Sequence, residues 1–155
     1  MPDRVAGGRP GEGRPALTVD GVVLMRRPAS EPHGDCSVLL IQRARPPFIG
    51  KWALPGGFVE YGEDLGDAVQ REIAEETGLD GLLFQQFRTY GTPGRDPRGH
   101  TVSVVYISEL VGGTPPVEAG DDAAAAAWFH VDDLPELAFD HELILQDVLC
   151  SCGLR

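Results

Sequence analysis

The 155-residue sequence has no apolar run that approaches the roughly 20 residues needed to span a bilayer. Its first residues also lack the apolar segment that is typical of a secretory signal peptide. These two absences predict a cytoplasmic protein that makes no membrane contact.

Cysteines and basic residues are both scarce. The three cysteines, Cys36, Cys150 and Cys152, have neither the spacing of a zinc site nor the even number of a disulfide framework, so we expect reduced thiols. The 13 lysines and arginines are outnumbered by 24 acidic residues, which gives a formal charge of −11. Because nucleic-acid backbones are bound by clustered basic residues, we expect no nucleic-acid partner. A small phosphorylated ligand could still bind if a divalent cation neutralised the local carboxylates.

The length and the 42% of apolar residues fit one globular domain. Residues 1–15 are rich in glycine and proline and contain no Leu, Ile or Phe, so we expect a flexible tail before a single domain over 16–155. Asp20 and Gly21 indicate a bulge or turn in the first strand. Hydrophobic patterns predict strands over 16–26, 37–42, 82–90, 101–110 and 126–131, and helices over 64–77 and from Asp140 onward. The chain therefore reads as α/β with mixed strands.

The helix predicted over 64–77 carries glutamates where apolar residues are expected. At about 100° per residue, three of them fall on or beside the buried stripe: Glu72, Glu75 and Glu76. Carboxylates that face the protein body repel one another and lose hydration unless a cation lies among them. Oxygen ligands favour Mg²⁺ or Mn²⁺ over zinc, and a backbone carbonyl at Gly56 could add another oxygen. The helix therefore predicts a divalent-cation site.

This segment resembles the signature of the Nudix hydrolase family. Every fixed position is filled, by Gly57, Glu63, Arg71, Glu72, Ile73, Glu75, Glu76, Gly78 and Leu79. The resemblance implies an α/β/α sandwich around a mixed β-sheet, and hydrolysis of a nucleoside diphosphate linked to another moiety. It implies metal binding and catalysis by the three glutamates, with the Gly56 carbonyl as a further metal ligand. Structural support of the signature would come from Gly57, Glu63, Arg71 and Gly78, with Glu63 and Arg71 as an ion pair.

Members of this family often add one carboxylate from outside the signature. Three acidic residues, Glu118, Asp121 and Asp122, lie in the loop before the last predicted strand. We expect Asp121 or Asp122 to take this catalytic role.

Segments outside the signature resemble ADP-ribose pyrophosphatases, in particular 45–48, 91–99, 120–123 and 137–141. The resemblance implies hydrolysis of ADP-ribose to AMP and ribose 5-phosphate. Arg95 and Arg98 either bind the substrate's phosphates or ribose, or tie down their own loop through Asp96.

Phe48 either stacks on adenine or packs in the core. The four histidines have no metal-ligand spacing, and we expect His141 to cap or pack at the last helix.

Two other functions fit parts of the sequence. A nucleoside triphosphate pyrophosphohydrolase of the mutator type fits the signature equally well, but it explains residues 91–99 less well. A non-catalytic sensor of ADP-ribose or another NAD metabolite would have no need of the complete glutamate set. Dimers are frequent in the family, so a homodimer is a further expectation that the sequence leaves open.

Overall fold

The computed structural model describes residues 13–28 and 35–154, so most of the predicted tail, residues 1–15, lies outside the described residues. Strands and helices alternate along the chain. The strands are β1 (Ala16–Arg26), β2 (Cys36–Arg43), β3 (Trp52–Ala53), β4 (Gly56–Phe58), β5 (Gln85–Tyr90), β6 (Thr101–Val111) and β7 (Ala123–His130). The helices are α1 (Leu65–Thr77) and α2 (His141–Ser151).

The strands form one mixed sheet in the order β3-β2-β1-β6-β5, with β4 paired to β1 and β7 paired to β2. β1 and β6 run parallel, in register from Ala16–Thr101 to Arg26–Val111. The remaining strand pairs are antiparallel. The expected α/β fold around a mixed sheet is therefore confirmed.

Each face of the sheet is covered by one helix. The apolar residues of α1, centred on Val69 and Ile73, pack against Val19 and Val23 of β1 on one face. On the other face, buried residues of α2 pack against Val22 and its neighbours: Ile144, Leu145, Val148 and Leu149. A strand covered on both faces is apolar at almost every position, which explains the nearly continuous burial of β1.

The limits of α1 agree with those predicted. The Asp64 carboxylate accepts a hydrogen bond from the Gly66 N–H at the first turn. Gly78 ends the helix in the left-handed region, with φ of 76°, and its N–H donates to the Ala74 carbonyl. These two caps fix the stretch of chain from which the glutamates project.

Three predictions about strands were wrong. β1 has no bulge or turn at Asp20 and Gly21, because β6 pairs with it without interruption. The strand predicted from Leu82 begins only at Gln85. The last strand begins at Ala123, earlier than Ala126, because the alanine run pairs with β2.

Asp140 is the N-cap residue of α2, so the last helix starts where the sequence predicts it. Its side chain makes no capping hydrogen bond, because Arg95 donates two hydrogen bonds to the carboxylate, at 2.9 and 2.7 Å. On α2, Leu143 is 53% exposed, whereas Leu145 is buried. Within 13–28 and 35–154, no helix is both long and apolar enough to cross a membrane.

Candidate active site

A cavity of about 520 Å³ opens at the end of the sheet where β1 and β6 begin. Its walls include the start of β1, the β3–β4 segment with the inner side of α1, the end of β2 with the chain that follows it, the loops before β6 and β7, and the start of α2. The cavity therefore joins segments that lie far apart in the sequence.

Two of the three predicted glutamates on α1 line this cavity. Glu72 and Glu76 lie one helical turn apart and are both half-buried. The Gly56 N–H donates to Glu76 Oε2 at 3.0 Å. A Cβ atom added at Gly57 would lie 2.5 Å from Glu72 Oε1, so only glycine lets the β4 backbone come this close to the carboxylates.

Glu75 lies outside this arrangement. Its side chain is 60% exposed, and its carboxylate accepts a hydrogen bond from Arg71 Nη1 at 3.3 Å. Among the described residues, no three potential metal-ligating side chains converge on one point. The predicted role of Glu75 as a metal ligand and catalytic residue stays a prediction.

The two cavity glutamates carry little compensating positive charge. Burial, followed by the nearby Glu72 and Asp20 carboxylates, raises the pKa of Glu76 to about 8. Burial also raises the pKa of Glu72, although Arg71 Nη1 donates to it at 2.9 Å and opposes the shift. These carboxylate oxygens are partly buried, lie against a glycine turn and have few positive charges nearby. Such a set of oxygens suits a hard divalent cation such as Mg²⁺ or Mn²⁺.

Glu63 and Arg71 form the expected ion pair. Arg71 Nε and Nη2 donate to the two Glu63 carboxylate oxygens at 2.6 and 3.0 Å. This interaction lowers the pKa of Glu63 to about 2. Arg71 also donates to the Phe58 carbonyl at 3.2 Å, so the guanidinium ties the loop between β4 and α1 to the helix.

The acidic loop before β7 lies against the end of α1. The Gly120 N–H donates to the Glu76 carbonyl at 3.3 Å. Asp121 and Asp122 are both exposed, but only Asp122 lines the cavity, where it pairs with Arg45 at 3.1 Å. The catalytic role expected of one of them stays a prediction, and Asp122 is the better placed.

The two arginines of the 91–99 loop line the cavity, but each is already paired. Arg95 is 6% exposed and binds Asp140 through two hydrogen bonds. Arg98 binds Asp96 through Nε and Nη2, the latter at 2.8 Å. The alternative in which ion pairs tie down the loop thus describes both contacts, although the partner of Arg95 is Asp140 rather than Asp96.

Phe48 packs edge-on against Phe139, with ring centroids 5.0 Å apart. Phe139 rather than Phe48 lines the cavity. The packing alternative therefore describes the contact of Phe48 in this structure, and adenine stacking stays a prediction.

Sequence reasoning missed several residues of the cavity wall. Asp20 is only 7% exposed and accepts a hydrogen bond from the Ser103 hydroxyl. Its neighbour on the same strand face is Thr18, so polar residues alternate where the strand otherwise reads as apolar. Asp20 could have been identified as a site residue from this alternation of polar residues. Arg43 and Phe139 had no comparable signal in the sequence.

His141 is a buried residue of the cavity wall and connects α2 to the β3–β4 segment. Its Nδ1 accepts a hydrogen bond from the Leu54 N–H at 3.0 Å, and its Nε2 lies 3.8 Å from Asp20 Oδ1. Two backbone hydrogen bonds run beside it, from the Trp52 N–H to the Glu136 carbonyl and from the Ala138 N–H to the Trp52 carbonyl. The chain before α2 thus pairs with β3 almost as a further strand.

The NUDIX domain family matches residues 17–148. The chain belongs to the Nudix family. The Nudix chain is 47% identical over 135 residues to an ADP-ribose pyrophosphatase of Methanocaldococcus jannaschii, a match that covers 87% of this chain and 73% of that protein. It is 34% identical to an ADPR-responsive transcriptional repressor of Acinetobacter baylyi, covering 85% of this chain and 52% of the repressor.

A solved structure supports the same family. The NUDIX domain of Shewanella oneidensis NrtR, crystallised with ADP ribose, superposes on this Nudix protein with a TM-score of 0.76. The two are 31% identical, and the match covers 87% of this chain and 86% of that one. The α/β/α sandwich that the sequence resemblance implied is therefore confirmed.

Proposed function

We propose that the protein hydrolyses ADP-ribose to AMP and ribose 5-phosphate with Mg²⁺ or Mn²⁺ as cofactor. The observation that carries the proposal is the pair of half-buried glutamates, Glu72 and Glu76, held against the Gly56–Gly57 turn in an open cavity. The 47% identity to an archaeal ADP-ribose pyrophosphatase supports this choice of substrate.

The cation would be held by the Glu72 and Glu76 carboxylates and the Gly56 carbonyl, with Glu75 joining if its side chain turns away from Arg71. A bound divalent cation neutralises diphosphate oxygens and lowers the pKa of water. The protein's own part is to position these oxygens. Arg71 and Glu63 hold the β4–α1 loop in place, so the Gly56–Gly57 turn stays against the helix.

In the proposed reaction, the oxygen of water forms a bond to one phosphorus and the P–O–P anhydride bond breaks. The bridging oxygen leaves with the other phosphate, so AMP and ribose 5-phosphate are released. A carboxylate of the acidic loop accepts the proton of the attacking water, and we assign this role to Asp122 because it lines the cavity.

A sensor function has one observation in its favour, the 34% identity to the ADPR-responsive repressor. The complete glutamate set speaks for turnover instead, because binding alone does not require it. Cytoplasmic location, a homodimer, and a single domain over 16–155 behind a flexible tail stay predictions.

A substrate panel tests the proposal. The purified chain is incubated with Mg²⁺ and either ADP-ribose or nucleoside triphosphates, and the products are separated by chromatography. We expect AMP and ribose 5-phosphate, with kcat/KM for ADP-ribose about 100-fold or more above that for the triphosphates, a difference of about 2.7 kcal/mol. The opposite preference would favour the triphosphate-cleaning alternative. Tight binding of ADP-ribose without products would favour a sensor.

A further inference from the structure

Among the residues that the structure describes, five arginines line the cavity, and four of them are paired with a carboxylate. The pairs, with their shortest contacts, are Arg45–Asp122 at 3.1 Å, Arg71–Glu63 at 2.6 Å, Arg95–Asp140 at 2.7 Å and Arg98–Asp96 at 2.8 Å. Arg43 is the fifth. Within the described part of the chain it forms no ion pair with a carboxylate, which is unexpected in a protein with 24 acidic residues.

We propose that Arg43 binds a phosphate group of the substrate's diphosphate. The inference rests on the proposed function for the identity of the substrate. The sequence offers phosphate binding as one alternative for Arg95 and Arg98, and the inference assigns a phosphate contact to an arginine that the sequence did not single out.

Neutral groups hold the Arg43 guanidinium in place. Arg43 is the last residue of β2, where the pairing with β7 shifts register. Its Nε donates to the Pro47 carbonyl at 2.6 Å, and its Nη2 approaches the Arg45 carbonyl at 3.4 Å. The guanidinium carbon lies 4.9 Å from the centroid of the Phe139 ring. These contacts fix the orientation of the side chain without pairing its guanidinium directly with a carboxylate.

Phe139, whose ring contacts Arg43, has an unfavourable backbone conformation. Its φ of 54° lies in the left-handed region, which bulky residues seldom adopt. The same ring also lies 5.5 Å from the guanidinium carbon of Arg98. Two arginines thus share one aromatic ring, and only Arg98 has a carboxylate partner.

Arg43 lines the same cavity as the two arginines of the 91–99 loop and the glutamates Glu72 and Glu76. Burial and the nearby Arg98 lower the pKa of Arg43, whereas Glu76 and Asp96 act in the opposite direction. A phosphate bound here would meet a guanidinium on one side and the cation held by Glu72 and Glu76 on the other. A planar guanidinium suits a phosphate because it can donate two parallel hydrogen bonds.

The test measures binding without turnover. The ligand is the α,β-methylene analogue of ADP-ribose, which cannot be hydrolysed, and its Kd is measured by calorimetry with chelator and again with Mg²⁺. We expect Arg43→Gln to weaken binding about 10- to 100-fold, the loss typical of a charge-assisted hydrogen bond. Arg43→Lys keeps the charge but not the planar fork, so we expect an intermediate loss. Arg88→Gln, on exposed β5 and outside the cavity, is the matched control and should bind as the wild type does.

Equal affinities of wild type and Arg43→Gln overturn the inference, whatever the hydrolysis assay shows. Adenosine, which has no phosphate, is titrated in the same way. If Arg43 had a merely structural role, Arg43→Gln would weaken the binding of adenosine as much as the binding of the analogue, and that result also overturns the inference. If the wild type fails to hydrolyse ADP-ribose but Arg43→Gln still binds the analogue more weakly, the proposed function fails and the phosphate contact stands. If Arg43→Gln does not fold, Arg43→Lys decides by the same comparison.

Discussion

The α1 wall and the arginine-loop wall of the cavity handle charge in opposite ways. On α1, Glu72 and Glu76 lie side by side, and Arg71, the cation that contacts Glu72, is shared with Glu63. In the loop before β6, Arg95 and Arg98 each bind a carboxylate through Nε and Nη2, with two hydrogen bonds from Arg95 and three from Arg98. A charged side chain that is paired with an opposite charge within the protein stabilises the cavity wall, whereas an unpaired charged side chain is available to bind a ligand. Substitutions in one wall at a time separate the two roles.

The largest effect is expected from Glu76→Gln on the α1 wall. The substitution keeps the size of the side chain and removes one charge from the cation site, so kcat for ADP-ribose should fall about 100-fold or more at saturating Mg²⁺. Glu75→Gln should cause a similar loss if Glu75 turns from Arg71 to the cation. Glu142→Gln, an exposed change in the first turn of α2, is the control. Near wild-type rates for both α1 variants would remove these residues from the metal site.

On the opposite wall, Arg95→Ala should act mainly on stability. It leaves the partly buried Asp140 carboxylate without its partner, which should lower the free energy of unfolding by about 3 kcal/mol. Urea unfolding measures the loss. Arg88→Ala breaks an exposed pair with Asp147 and should cost less than about 1 kcal/mol. Equal losses for the two variants would show that the Arg95 pair stabilises no more than a surface contact.

Mg²⁺ should stabilise the protein through the α1 wall alone. A ligand that binds only the folded state adds about 2.7 kcal/mol when its concentration is 100 times its Kd. In a domain of this size we expect a rise in Tm of about 5–10 °C. Chelator should reverse the rise, Glu76→Gln should reduce it, and Arg95→Ala should leave it intact. A Tm that does not respond to Mg²⁺ or chelator would contradict the site.

The smallest effect is expected from the ion pair between Glu63 and Arg71, which supports the α1 wall. The pKa of Glu63 falls from 4.5 to about 2 in the folded protein because Arg71 donates to its carboxylate. The stability that this pair adds is therefore complete above about pH 4.5 and is lost as the pH falls through 2. Glu63→Gln should be less stable than the wild type at pH 7, and the gap should close toward pH 2. Urea unfolding over a pH series measures it, with Glu60→Gln as the control; a gap that is independent of pH would exclude the charge as its cause.

The parts of the site that could be predicted are those determined by local geometry. The caps at Asp64 and Gly78 and the 3.6-residue period place Glu72 and Glu76 inward within a single helix. The orientation of Glu75 was not predictable from the period, because a long side chain at the edge of the buried stripe follows its nearest partner, here Arg71.

Contacts between distant segments were out of reach of pattern reasoning. Arg95 and Asp140 are 45 residues apart, and nothing in either segment indicates that the loop and the start of α2 meet. The same holds for Arg43 and Phe139. Asp20 could have been found, since a carboxylate in a strand that is covered on both faces needs a reason to be buried.

Because the chain before α2 pairs with β3, the last helix and the glycine turn of the cavity are expected to open together. Leu54 precedes the Pro55–Gly56–Gly57 turn, and its amide hydrogen is held by a side chain of α2. An excursion that lifts α2 from the sheet must break this bond and expose the turn to solvent at the same moment. Helix and turn should therefore share one opening free energy, as members of a single cooperative unit.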